Sequence, residues 1–240
     1  MKKMRAGAAF GLCALLAAGF VSLRAAAADD APTVRLANFE HHHASHDVRY
    51  LANWIVHAGD NHIGDDLKQP FVIIDKKAAR VYVFDAAGRL RGAAPALLGR
   101  GLGDTALPGI GAKELSAIAP KDRVTPAGRF VSRLGVDTHG QDVLWLDYEG
   151  ALAMHRVITT NPKERRLQRL STPTAHDKRI SYGCINLPVK FYEKVVHPAF
   201  RENQGVVYVL PETKPVDKVF ASYDVREHAR ELLKFQPDPQ

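Results

Sequence analysis

The side chain best suited to covalent chemistry is Cys184, within RISYGCINLP at 179–188. The 240-residue chain has one other cysteine, Cys13. The thiolate is the nucleophile, so a reactive cysteine needs exposure, a nearby base and positive potential. Gly183 lets the backbone turn sharply and a substrate approach closely. Ser181 can hold the loop or orient a base, and Asn186 can donate to a substrate or brace the turn. A helix starting near Pro188 could aim amide donors at a developing oxyanion. Eleven histidines are candidate bases, six of them at 41–62. His155 ends the apolar strand ALAMH, where a polar side chain can face a cleft. His176 lies in a Thr/Pro-rich loop eight residues before the cysteine. His139 sits in a turn, and His197 and His228 fall in helical segments. A strand-end histidine paired with a lone cysteine favours His155, with His176 as the alternative base.

Residues 1–28 read as an export signal. Lys2, Lys3 and Arg5 precede an apolar run from Ala6 to Ser22, and an A-x-A site places cleavage after Ala28. The run is short for a bilayer span, so stable membrane insertion after cleavage is not expected. Cleavage would remove Cys13 and leave Cys184 unpaired. The whole chain carries a formal charge of +7. Without the four basic residues of the leader, 29 basic residues face 26 acidic ones, a balance of +3. Nucleic-acid binding, which needs a strongly basic face, loses its main support. The expected location is the periplasm or another extracytoplasmic space.

The rest of the chain must position the thiol. A helix is expected over 45–57, from Val48, Leu51, Ala52 and Ile55 at helical spacing and Ser45 as N-cap. Strands are expected at 71–75, 80–85, 90–99, 128–135, 142–148, 151–157 and 205–210, separated by Gly and Pro turns. Shorter helices fit 163–170, 188–196 and 222–234. The pattern is mainly β, a sandwich or barrel with a few short helices and an N-terminal helical extension. Trp54 and Trp145 are assigned to the core. GRGLGD at 99–104 lacks the sixth-position glycine and following helix of a dinucleotide site.

SYGCIN resembles the [S/T]-x-G-C-x-[N/R] signature of the L,D-transpeptidase (YkuD-type) catalytic domain. FVIIDKKAARVYVFDAAGRL is similar to that family's opening hairpin, TPAGRF to its TP-x-G-x-F turn and strand, and GVVYVLP to its closing strand. The likeness runs over roughly 70–211. It implies an L,D-transpeptidase-like β-sandwich or barrel at 67–212. A His-rich extension at 29–66 would precede it and a helical tail at 213–240 would follow. It implies that Cys184 attacks an L,D-amide bond of a peptidoglycan stem peptide with His155 as base. Backbone N–H groups of Gly183 and Cys184 would receive the oxyanion, with Ser181 and Asn186 supporting the loop. Tyr182, Arg156 and Arg179 would be possible substrate contacts. The acyl group would pass to an amine, or to water in an L,D-carboxypeptidase. A catalytically silent wall-binding module is a further alternative. No metal or organic cofactor is expected. The chain departs from the family at Arg156, where Gly or Ser is usual, and at Tyr182, where histidine is frequent.

The 29-residue spacing from His155 to Cys184 is longer than usual in that family, and the excess falls at 159–178. There Lys163, Arg165, Arg166 and Arg169 cluster, with Leu167 and Leu170 able to pack inward. A solvated helix face beside the site is favoured over a lid whose cations meet stem-peptide carboxylates. HHHASH at 41–46, with His57 and His62, is dense in imidazole but lacks the spaced ligand set of a structural zinc site.

Overall fold

The computed structural model describes residues 34–59, 68–202 and 204–234. The expected leader and His62 lie outside them.

Ten strands form in chain order: β1 (Phe71–Asp75), β2 (Arg80–Phe84), β3 (Leu90–Pro95), β4 (Leu98–Gly99), β5 (Gly128–Val136), β6 (Asp142–Asp147), β7 (Leu152–Arg156), β8 (Arg179–Ser181), β9 (Ile185–Leu187) and β10 (Gly205–Val209). Eight of them make one sheet, ordered β3-β2-β1-β10-β5-β6-β7-β9, while β4 pairs with β8. The chain just after β3 then meets the far edge. Leu97 and Asn186 exchange two backbone hydrogen bonds of 2.9 Å, so the sheet nearly closes on itself. This is the mainly β architecture expected from the alternating patterns.

Side-chain alternation sorts the sheet into two cores. Val72 and Ile74 of β1, Val81 and Val83 of β2, and Val207 and Val209 of β10 point to one side. They meet Leu152, Met154, Ile185 and Leu187 from the β7–β9 end. Tyr192, Val196 and Phe200 fill this core from a continuous helical stretch: α3 (Val189–Phe191), a π-helical turn (Tyr192–Val196) and α4 (His197–Phe200). Phe71, Ile73, Tyr82, Phe84 and Tyr208 point the other way. α1 (His46–Ala58) covers them with Val48, Leu51, Ala52 and Ile55. Ser45 caps α1 by accepting from Val48 N at 3.3 Å. Its hydroxyl donates to Asp75 at 2.7 Å, tying the helix start to the end of β1. Because both faces are covered, β1 and β10 are buried at every position.

The expected helix at 163–170 is a 3-10 turn (Pro162–Glu164) followed by α2 (Arg166–Ser171), with Arg165 in the left-handed region between them. α5 (Val216–Phe220) was not expected, and α6 (Val225–Lys234) begins three residues later than the pattern suggests. β8 and β9 went unseen because three residues are too few to show a period. Trp54 lies in the second core, whereas Trp145 is only half-buried and meets Tyr148 edge-on.

Candidate active site

Cys184 stands in the turn between β8 and β9. β9 runs parallel to β7, with Met154 beside Ile185, His155 beside Asn186 and Arg156 beside Leu187. Met154, Ile185 and Leu187 fill the inner core. His155 and Asn186 therefore share the opposite face. The register thus sets the loop of Cys184, two residues before Asn186, next to the strand that carries His155.

His155 Nδ1 donates to the Arg156 carbonyl at 2.7 Å, which leaves Nε2 as the acceptor nitrogen. Asn186 Nδ2 lies 3.5 Å from Nε2 and donates to the Cys184 carbonyl at 3.3 Å. Cys184 Sγ donates to the Ala151 carbonyl at 3.4 Å, and no hydrogen bond joins it to His155. Burial pushes the thiol above its ordinary range, opposed by nearby backbone N–H groups and Arg166. Burial likewise pulls the imidazole below its ordinary value, against the bond to Arg156. Near neutral pH the resting pair is thiol and neutral imidazole. A thiolate–imidazolium pair is not the resting state. Desolvation penalises both charged forms and makes the difference.

The loop carrying Cys184 is held by backbone contacts. Gly183 has φ +137°, and a Cβ there would lie 2.9 Å from the Val124 carbonyl oxygen. A side chain would be strained in conformation and would crowd that carbonyl. Thr125, fully buried, donates to the Gly183 carbonyl at 2.7 Å and accepts from Gly99 N at 2.9 Å. Ser181 Oγ donates to the Cys184 carbonyl at 2.6 Å and accepts from Gly183 N at 3.2 Å. The Gly183 N–H, expected to be an oxyanion donor, is therefore already engaged. Cys184 N–H is the member of that pair which Ser181 does not occupy. The expected helix start near Pro188 does not serve either. β9 lies between, and Val189 borders the hollow beside His155.

The thiol opens into a cleft of about 100 Å³. Cys184 and Tyr182 line it together with Ile110, Leu115 and Ile118 of the loop before Thr125. The Arg123 guanidinium stacks over the Tyr182 ring at 3.9 Å. His155 opens into a separate hollow of about 200 Å³ that Asp137 and Asp142 border.

The other two expected substrate contacts are committed elsewhere. The Arg156 guanidinium bonds Asp142 at 2.9 Å and Glu193 at 3.1 Å, and lies 4.6 Å from the centre of the Tyr192 ring. It fastens β6 to the helix, and only its carbonyl serves His155. Arg179 is buried against Glu212 at 2.5 Å and the Lys76 carbonyl at 2.9 Å. His176 sits in a 3-10 turn before β8, with no hydrogen bond to Cys184, Ser181 or Asn186. His41, His42 and His43 precede α1. Among the described residues no three His, Cys, Asp or Glu side chains converge as a metal site.

The 159–178 insertion is not a solvated face at Arg166. Its Nη1 donates to Asn186 Oδ1 at 2.7 Å, and its Nε donates to Glu164 at 2.5 Å. Leu170 packs on Leu97 and Val157, while Leu167 stays exposed. Arg169 binds the Glu164 and Asp177 carbonyls at 2.8 and 2.7 Å. Thr125 was also overlooked as a support of the loop. Its only sequence signal was its place in the TPAGRF turn.

No family model matches the chain, and no curated protein matches it. The NMR structure of the E. faecium L,D-transpeptidase catalytic domain is similar at 15% identity and a TM-score of 0.34, covering 62% of this chain and 99% of that one. L,D-transpeptidase LdtMt1 in complex with imipenem is similar at 15% and 0.33, covering 59% of this chain and 58% of that one. A fused Zn-dependent amidase/peptidase/peptidoglycan-binding domain-containing protein from Clostridium acetobutylicum is similar at 17% and 0.35, covering 66% and 61%. At such TM-scores the likeness does not establish a fold family, and the functional reading rests on the site itself. Among the described residues no helix is long and apolar enough to cross a membrane.

Proposed function

We propose that this protein is a cysteine-dependent L,D-transpeptidase acting on peptidoglycan stem peptides outside the cytoplasm. The observation that carries the reading is the β7–β9 register. It sets His155, with Nδ1 tied to a carbonyl, beside the strand that leaves Cys184 at the mouth of a cleft. The SYGCIN motif supports the same reading.

In this mechanism the ground state is neutral, so the proton moves as the bond forms. His155 Nε2 takes the Cys184 proton while sulfur attacks the carbonyl of the L-centre residue of a tetrapeptide stem. Cys184 N–H donates to the resulting oxyanion. The intermediate collapses, the C–N bond breaks, and imidazolium returns a proton to the departing D-alanine amine. An acceptor amine then attacks the thioester, giving a cross-link and regenerating the thiol. Transfer to water would yield an L,D-carboxypeptidase instead.

The test incubates the purified protein with tetrapeptide muropeptides and identifies the products by mass. A new dimer with release of D-alanine is the expected result, whereas D-alanine release alone would assign the carboxypeptidase. Unchanged muropeptides from a folded protein would reject both. His155→Ala should lower turnover by about 10²–10⁴-fold. If His176→Ala does so instead, the base is wrongly assigned.

A further inference from the structure

Beside the thiol lies a cation that the mechanism above does not use. Arg166 is the first residue of α2, the end of a helix where a positive charge is least favourable. Its side chain nonetheless turns inward and is only 12% exposed. One edge of the guanidinium is held by Glu164 and the other by Asn186. The Asn186 contact settles that residue's orientation. Guanidinium only donates, so Asn186 must present Oδ1 to Arg166 and Nδ2 to the Cys184 carbonyl and His155 Nε2. A run Glu164–Arg166–Asn186 therefore ends on both members of the cysteine–histidine pair.

We propose that Arg166 is a positioning residue of the site: through Asn186 it fixes the Cys184 loop against His155, and it supplies the fixed positive charge that favours the attacking thiolate. The inference rests on the transpeptidase reading for its biological purpose but not for its chemistry.

The positive charge acts in a consistent sense on both groups. It draws the Cys184 thiol down against the upward push of burial, and it adds to the downward shift of His155. A cation there assists the anion and makes the imidazolium, once formed, a stronger acid toward the departing amine. Other charged groups also face the pair: Glu164 partly offsets Arg166, Asp137, Asp142 and Arg156 border the His155 hollow, and Lys113 and Asp147 line the thiol cleft. The insertion between His155 and Cys184 thus brings a cation to the site, and the packing of Leu170 and the Arg169 bonds hold it in place.

The experiment follows the rate of iodoacetamide alkylation of Cys184 against pH in the full protein and three variants. Arg166→Met should raise the midpoint by about one pH unit, making alkylation about tenfold slower at neutral pH. Glu164→Gln removes the offsetting carboxylate and should move the midpoint down. Arg166→Lys keeps the charge without the two-sided grip and should fall between wild type and Arg166→Met. Opposite signs for Arg166→Met and Glu164→Gln would support the role, because loss of packing alone would not produce them. Unmoved midpoints, or shifts of the same sign in both, would overturn it. Should Arg166→Met fail to fold, Glu164→Gln and Arg166→Lys decide the matter by the same criterion. Alkylation needs no wall substrate, so the two readings fail separately. A shifted midpoint without D-alanine release would sink the transpeptidase and keep Arg166. Normal turnover with unmoved midpoints would do the reverse.

Discussion

Two polar clusters flank the loop at 98–126, and they are built on opposite principles. One is the Cys184–His155 site. The other joins Lys76, Asp104, Arg179 and Glu212. Lys76 is completely buried, and its ammonium donates to the Gly103 carbonyl at 2.5 Å, Asp104 at 2.9 Å and the Thr125 carbonyl at 3.0 Å. Those three bonds use all its donors. Asp104 also accepts from the backbone N–H groups of Glu212, Thr213 and Lys214 at 2.7, 2.9 and 3.1 Å, and from the Thr213 hydroxyl. Glu212 takes Gly103 N at 2.8 Å and the Arg179 guanidinium. Here every group is committed. At the candidate pair the atoms that would react are held more loosely: Sγ donates to one carbonyl at 3.4 Å, and Nε2 meets Asn186 at 3.5 Å. Spare hydrogen-bonding capacity next to desolvated groups favours reactivity, and full satisfaction favours rigidity. Thr125 joins the two clusters, its carbonyl on Lys76 and its hydroxyl on Gly183.

The contrast can be broken at either end. Cys184→Ala should abolish thioester formation with a carbapenem, read by intact mass, yet leave the urea midpoint almost unchanged. Retained acylation would remove the cysteine from the mechanism. Lys76→Met should do the opposite. It takes the ammonium away from buried Asp104 and from the Gly103 and Thr125 carbonyls, so a loss of about 3–5 kcal/mol is expected in urea unfolding, with turnover per folded molecule largely preserved. Near-wild-type stability would show that the ionic cluster is not the rigid half of the pair.

Thr125→Val tests the link. It leaves the Gly183 carbonyl and Gly99 N–H without a buried partner, for about 1–3 kcal/mol of stability. It should also lower turnover more than Lys76→Met does, because it releases the cysteine loop. A variant as stable and active as the parent would disconnect the clusters.

The smallest effect is in pH. Burial opposes ionisation of Asp104, but Lys76, Thr213 and the backbone donors outweigh it and hold the carboxyl far below its ordinary range. Its ordinary value is about 3.9. The folded state thus gains from the ionised form at all pH above about 4, and that gain is lost as pH falls further. Melting temperature should decline below about pH 4, and Asp104→Asn should flatten the decline.

Much of the fold was legible because its signals are local. β-branched runs, Gly/Pro turns and the Ser45 cap mark elements whose hydrogen bonds and periods need only a few neighbours. SYGCIN and the strand-end His155 were visible for the same reason. Short β8 and β9 were not, since their pairing partners, rather than their own residues, make them strands. The charged residues were the hardest to place. Arg156, Arg166 and Arg179 look alike in sequence, and the structure gives each a different task.

By itself the chain's order of residues determined where the longer strands lie, where α1 starts and which residue is the nucleophile candidate. Tertiary structure alone decided that Lys76 meets Asp104 and Glu212, that Arg179 is sealed away, and that Arg166 reaches Asn186. The physical reason is that backbone pattern and turn chemistry act over a few residues. A charge acquires its meaning only from what desolvates it and what pairs with it, and both arrive from distant parts of the chain.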